Sequence, residues 1–221
     1  MTEPMRRRHF TYTLLLAAGA IHPACASLQA PSERGVMPDF VSLIERLAPA
    51  VIAVGDGKQT LGSGFGVGVR RVLTAAHVSQ AAKTGAVVRT GERSAPARAL
   101  AADSAADLAI LDTGLMVPAL PLATSPPRVG EWVVVLGNPF GAGLTATVGI
   151  VSGAPGAITT AGLANRVQIN ASVNPGNSGG PVCNVRGEVV GIATTLVPGG
   201  QGIAFATSAA SIQAFIAPHL I

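Results

Sequence analysis

Histidine is the commonest general base near neutral pH, and this chain of 221 residues carries four. His9 and His22 lie in an apolar leader and His219 stands two residues from the C-terminus. Only His77, in Thr74-Ala75-Ala76-His77, falls within the body of the sequence. Taken alone it also reads as an ordinary histidine at the end of a strand. A second candidate is the serine of Asn174-Pro175-Gly176-Asn177-Ser178-Gly179-Gly180-Pro181. Glycines lose much backbone freedom on folding, so such a run marks unusual dihedrals or a close approach to the backbone. A tight turn of that kind exposes a nucleophile and aims successive N–H groups at one point, where they can hold an oxyanion. The same residues also make plain surface turns. The third candidate is an acid. Asp107 opens the apolar run Leu108-Ala109-Ile110-Leu111, and a carboxylate partly withdrawn from water needs a partner. Asp103 and Asp112 are its rivals, and periodicity does not choose among the three.

These residues need a scaffold, and the sequence predicts a β-rich one. Short Val- and Ile-rich runs alternate with Gly, Pro and Ser turns: 51–54, 64–69, 71–74, 86–89 and 108–112, then 132–136, 145–151, 166–170, 182–184, 188–194 and 202–206. Many short strands at near-regular spacing predict a sandwich or barrel rather than βαβ units. The stretch 118–127, rich in Pro and Ser, divides the two sets and reads as a linker. A helix is expected after Asp39, with Phe40, Leu43, Ile44 and Leu47 on one face and Pro49 as its stop. Another is expected after Ser208, carrying Ile212, Phe215 and Ile216 and interrupted near Pro218.

Composition narrows the function. Apolar residues make up 48% and charged residues only 12%, which excludes a disordered chain. The formal net charge is +4, yet beyond residue 26 twelve Lys and Arg face ten Asp and Glu, with no basic cluster. With aromatics at 4%, stacking platforms for single strands are excluded, and nucleic acid is not an expected partner. Residues 1–26 read as an export signal: Arg6-Arg7-Arg8, an apolar stretch from Phe10 to Ile21, then Ala24-Cys25-Ala26. The apolar stretch is too short to span a bilayer comfortably, so no stable membrane span is expected; an uncleaved signal would act as an anchor. The export route, general or twin-arginine, stays open. Residues 27–38 read as a loose leader and residues 39–221 as the folded domain. Cys25 leaves with such a signal, so Cys183 stands alone and reads as a small buried hydrophobe.

Several segments together resemble the bacterial HtrA (Deg) branch of chymotrypsin-like serine proteases. They are Thr74-Ala75-Ala76-His77, Asp107-Leu108-Ala109-Ile110-Leu111 and Gly176-Asn177-Ser178-Gly179-Gly180-Pro181. Gly62-Ser63-Gly64-Phe65-Gly66, Leu136-Gly137-Asn138-Pro139-Phe140-Gly141, Thr147-Val148-Gly149-Ile150-Val151-Ser152 and Gly202-Ile203-Ala204-Phe205-Ala206 follow in matching order. The resemblance implies an all-β fold of two antiparallel six-stranded barrels, the first at about 50–117 and the second at about 128–207, with a cleft between them. It implies His77, Asp107 and Ser178 as catalytic triad, in the chymotrypsin chain order. The Gly176-Asn177-Ser178 segment becomes the oxyanion hole, with the N–H groups of Gly176 and Ser178 as donors. Ser172 is implied as the floor of the specificity pocket, with Val173, Ile203, Ala204 and Phe205 as its walls. With no carboxylate at that floor, the expected cleavage is after Val, Ala, Ile or Leu rather than after Lys or Arg.

The expected activity is hydrolysis of peptide bonds in unfolded or misfolded exported polypeptides, in the periplasm or outside the cell, with no metal and no organic cofactor. A homotrimer formed through the N-terminal segment is also implied, with Phe40 in the comparable region; packing of Phe40 on its own barrel is the alternative. Three departures from the family pattern stand out. No PDZ domain follows, the stretch between Val54 and Gly62 is short, and Asn170 takes a usually acidic place beside the activation loop. They motivate a second reading, a binding or chaperone module on the same fold without catalysis.

Overall fold

The computed structural model describes residues 37–82, 85–138, 143–156, 163, 165–196 and 202–220. The expected export signal, and the leader as far as residue 36, lie outside the described residues, as does the Pro139-Phe140-Gly141 part of the family segment.

Asp39 caps the first helix, α1 (Phe40–Leu47), by accepting the N–H of Ser42. Six strands follow: β1 (Val51–Gly55), β2 (Thr60–Gly68), β3 (Arg71–Thr74), β4 (Ala86–Thr90), β5 (Arg93–Asp103) and β6 (Leu108–Thr113). They close into an antiparallel barrel in the order β1-β2-β3-β6-β5-β4. The short helix α2 (Ala76–Ala81) sits between β3 and β4. The second six are β7 (Trp132–Gly137), β8 (Thr145–Gly153), β9 (Arg166–Ile169), β10 (Pro181–Asn184), β11 (Val189–Leu196) and β12 (Ala204–Ser208). They close in the same order, β7-β8-β9-β12-β11-β10. Ser208 then caps α3 (Ala209–Ile216), and Pro218 falls in the 3-10 turn Ala217–His219 that ends it. The fold is therefore all-β with two closed six-stranded barrels and short helices at the two ends of the described chain.

Closure follows from the sequence pattern. Closing each sheet on itself pairs its outer strands and turns apolar side chains inward. Ile52, Val54, Val72, Val88 and Leu111 fill the first barrel, and Val133, Val135, Val167, Ile169 and Val182 fill the second. A further cluster joins the two: Phe65, Leu73 and Ile110 of the first barrel meet Val134, Leu136 and Ile192 of the second, with Leu43 of α1 and Ile212 of α3. The segment between the barrels is stitched to both. Leu120 N donates to Gly66 O, while Ala123 N donates to Val189 O and Val189 N to Pro121 O.

Two elements were not expected from the sequence. Strand β5 contains Pro96 and alternates poorly between apolar and polar residues, and α2 is too short to show a helical period.

Candidate active site

Pairing of β3 with β6 sets the first half of the site. Leu73 stands opposite Ile110 and Thr74 opposite Ala109, so the residues just past the end of β3 lie beside those just before β6. Those residues are His77 and Asp107. Ala75 precedes α2 and has no side chain with which to cap it. Asp107 does so instead, its Oδ1 accepting the backbone N–H of His77 at 3.0 Å. The same carboxylate takes the His77 ring at Nδ1, 2.8 Å from Oδ2 and 3.0 Å from Oδ1. A carboxylate that is ionised only accepts, so Nδ1 carries the hydrogen and Nε2 keeps its lone pair. The Asp107 side chain is 16% exposed and that of His77 50%: the carboxylate is inside and the ring faces solvent. Asp107 adopts φ +56°, a left-handed conformation rare for a residue with a side chain.

The rival acids are separated by their partners. Asp103 Oδ1 accepts the N–H groups of Ala105 and Ala106 at 2.8 and 3.0 Å, closing its own turn. Asp112 pairs with Arg71 at 2.6 Å across β3 and β6.

Ser178 lies in the turn before β10, half-buried. Among the described hydrogen bonds, those from the first barrel to this turn come from Ser63 of β2. Ser63 N donates to Ser178 O at 2.8 Å. Its hydroxyl donates to Gly176 O at 2.6 Å and accepts Asn138 N at 2.8 Å. Gly179 has φ +86°, and a Cβ there would collide with Ser63 O and stand 2.9 Å from Ala75 N. A Cβ on Gly62 would stand 2.7 Å from Ser178 O and 2.5 Å from Val78 Cγ2. The serine turn is thus packed against the residues on either side of His77. Among the described hydrogen bonds none joins Ser178 Oγ to His77; such bonds are commonly long in an unliganded site and tighten when substrate binds.

Within the turn the Asn177 N–H donates to Asn174 O at 2.9 Å. It is therefore engaged within the turn, and the expected oxyanion donors are the N–H groups on either side of it. The Asn177 side chain is buried against Gly137, and its Oδ1 has no hydrogen-bond partner among the described residues. Gly176 (φ +100°) and Ser178 have no backbone N–H partner among the described hydrogen bonds.

The specificity residues are less gathered. Ser172 is exposed and its carbonyl accepts from Thr147 Oγ1 at 2.7 Å. Val173 and Ala204 are buried in the second barrel core, Phe205 is buried on β12, and Ile203 is exposed. Asn170 Oδ1 accepts Ile150 N at 2.7 Å, tying β8 to the segment that leads into the serine turn.

Sequence reading gave no role to Ser63, Asn138 or Arg166. Arg166, at the start of β9, is buried and donates to Thr194 Oγ1 at 2.6 Å and to Thr207 Oγ1. Burial holds its pKa below the ordinary guanidinium value, while the charge of Asp107 acts the other way. Among the described residues no group of three or more His, Cys, Asp or Glu could hold a metal ion.

Two closed six-stranded barrels, with the histidine and acid on one and the glycine-flanked serine on the other, are the architecture of chymotrypsin-type peptidases. The model of the trypsin-like peptidase domain matches residues 62–192, and the chain belongs to this family, on its HtrA (Deg) side. It is 38% identical to the putative serine protease HhoA of Synechocystis over 61% of this chain and 36% of that protein. It is 33% identical to the periplasmic pH-dependent serine endoprotease DegQ of Escherichia coli, over 86% of this chain and 50% of the relative. A crystal structure of the serine endoprotease from Yersinia pestis superposes with a TM-score of 0.69 at 31% identity, covering 84% of this chain and 68% of that one. The chain spans between about a third and a half of the length of these curated relatives.

Proposed function

We propose that the protein is a serine endopeptidase acting on extended segments of unfolded or misfolded exported polypeptides. The observation that carries this reading is the two-point hold of Asp107 on His77 beside a serine turn docked on the same strand ends. Ser178 Oγ attacks the scissile carbonyl carbon while His77 Nε2 takes its proton. The tetrahedral oxyanion is received by the N–H groups of Gly176 and Ser178. Asp107 keeps the hydrogen on Nδ1 and stabilises the imidazolium as it forms. Collapse of the intermediate passes the His77 proton to the leaving amine and leaves an acyl-enzyme, which water then hydrolyses by the same route. Every step uses groups of this chain and peptide or water.

Specificity is assigned to a shallow apolar pocket at Ser172, Val173, Ile203, Ala204 and Phe205, with cleavage after small aliphatic residues. An apolar pocket separates such neighbours by only about 1–3 kcal/mol per methylene, so the preference is broad. Export to the periplasm follows from the reading of residues 1–26 and from the names of the relatives; among the described residues no helix is long and apolar enough to cross a membrane. Self-association through the N-terminal segment belongs to the same proposal. Phe40 packs edge-on against Trp132 of its own chain, with ring centroids 5.7 Å apart, as the alternative reading of that residue has it, while Val41 of α1 is exposed.

The test is labelling with a fluorophosphonate followed by mapping of the modified residue. Modification of Ser178 requires nucleophile, base and oxyanion donors together, and an unlabelled native chain overturns the proposal in favour of a module that only binds. Digestion of reduced casein with mapping of the new termini tests the pocket, and dominant cleavage after Lys, Arg, Asp or Glu overturns it.

A further inference from the structure

Arg166 is buried, yet none of the described salt bridges includes it. A cation withdrawn from water is costly unless its charge and donors are matched, so the partners it does find are informative. Its Nη1 donates to Thr194 Oγ1 on β11 and to Thr207 Oγ1 on β12. A threonine hydroxyl has one hydrogen. Because Thr207 accepts from the guanidinium, that hydrogen is directed elsewhere, and it is donated to Ala106 O at 2.8 Å. Ala106 belongs to the first barrel and immediately precedes Asp107. The relay therefore crosses from the second barrel to the peptide unit that carries the acid. Asp107 holds φ +56°, a conformation that persists only where the surroundings impose it.

The charges around this point are few. The turn at 103–107 contributes Asp103 and Asp107. Strands β11 and β12 and helix α3 contribute Thr194, Thr207 and Ser211, none of them charged. Among the described residues, the charge of Asp107 counters the effect of burial on Arg166.

We propose that Arg166 is a positioning residue for the His77–Asp107 couple, acting from the opposite barrel through Thr207 and the Ala106 carbonyl. This rests on the reading of the chain as a serine peptidase. Misplacement of a catalytic group by about 1 Å costs up to about 10²-fold in rate; a weakened tether costs less, and about tenfold is expected here.

The experiment compares the full chain with its Arg166→Met, Arg166→Lys and Thr207→Val variants. One readout is kcat and KM on a peptide substrate. The other is the downfield proton resonance of His77 Nδ1, which reports the bond to Asp107 whether or not the protein turns over. Arg166→Met lowers kcat about tenfold with KM within twofold, and it displaces or broadens the resonance. Arg166→Lys recovers most of both, and Thr207→Val repeats the loss of kcat with the guanidinium still present. The proposal is overturned if Arg166→Met keeps the wild-type kcat and resonance, or if Arg166→Lys is no better than Arg166→Met. Should Arg166→Met fail to fold, Thr207→Val decides alone, and an unchanged kcat and resonance overturn it. Absence of phosphonate labelling in the wild type sinks the peptidase reading instead, and the resonance comparison still judges Arg166.

Discussion

Replacing Ser63 with alanine removes a single oxygen from a fully buried side chain on β2. That oxygen serves two groups, accepting the Asn138 N–H at 2.8 Å and donating to Gly176 O at 2.6 Å. An unsatisfied buried polar group costs about 1–3 kcal/mol. Gly176 and Asn138 are only half-buried, so water recovers part of that, and a loss of about 2 kcal/mol in folding stability is expected. The functional effect is larger in relative terms. The peptide unit between Gly176 and Asn177 lies between the two proposed oxyanion donors, and its carbonyl is the point at which the first barrel grips it. Losing one such donor outright costs about 10²–10³ in rate. A turn that rotates with both donors retained is expected to lose about tenfold to a hundredfold. Urea unfolding measures the first effect and the second-order rate of fluorophosphonate inactivation measures the second. An inactivation rate within twofold of wild type, together with a stability change below about 0.5 kcal/mol, would show that Ser63 does not hold the turn.

Ser178→Ala and His77→Ala should each abolish peptide hydrolysis, with losses up to about 10⁶-fold and little further loss when combined; additive losses would contradict a shared mechanism. Asp107→Asn should cost about 10⁴-fold, whereas Asp103→Asn and Asp112→Asn, whose carboxylates serve a turn and Arg71, should leave kcat within a few-fold; the reverse pattern would reassign the acid. Gly179→Ala should destabilise the chain by at least about 2 kcal/mol, from the positive φ and the backbone collision together; calorimetry showing an unchanged Tm would refute the close packing of the turn on Ser63. Burial pushes the Cys183 thiol up to about 12, so the folded state disfavours the thiolate and stability falls as pH rises above an ordinary thiol pKa of about 8.5. Iodoacetamide at pH 8 should therefore modify Cys183 only in urea, and rapid modification of the native chain, mapped by mass spectrometry, would refute its burial.

The strands that build the site were legible because most are short, largely apolar runs closed by a turn. β3 falls at 71–74 as expected, and β6 and β7 each extend the expected run by one residue. β5 escaped for a physical reason. Its residues are exposed or half-exposed, none buried, and Pro96 argues against an interior strand. Pro96 in fact pairs with Val87 just before the β5–β6 ladder starts at Ala97 and Thr113, so at that point β5 is still an edge. α2 is too short for a full apolar stripe and has no capping side chain of its own, the N–H of its second residue, His77, being satisfied by Asp107 from the turn before β6. The same long-range bond distinguishes Asp107 from Asp103 and Asp112, and no local pattern could have done so. Ser63 reaches Gly176 across 113 residues and between barrels, and Arg166 meets the first barrel only through Thr207, whose bond to Ala106 O spans 101. A serine between glycines, and a cation opening an apolar strand, were the only traces they left in the sequence.

The grip of Ser63 on the serine turn has a consequence for how the protein is made. A chain that emerges N-terminus first presents β1 to β6, and with them His77 and Asp107, before the turn at 176–180 exists. That turn takes its posture only when the second barrel docks and Ser178 O meets the Ser63 N–H. The docking interlocks maturation with folding: a half-emerged chain is chemically silent, and the onset of phosphonate reactivity should mark the moment at which the two barrels close on one another.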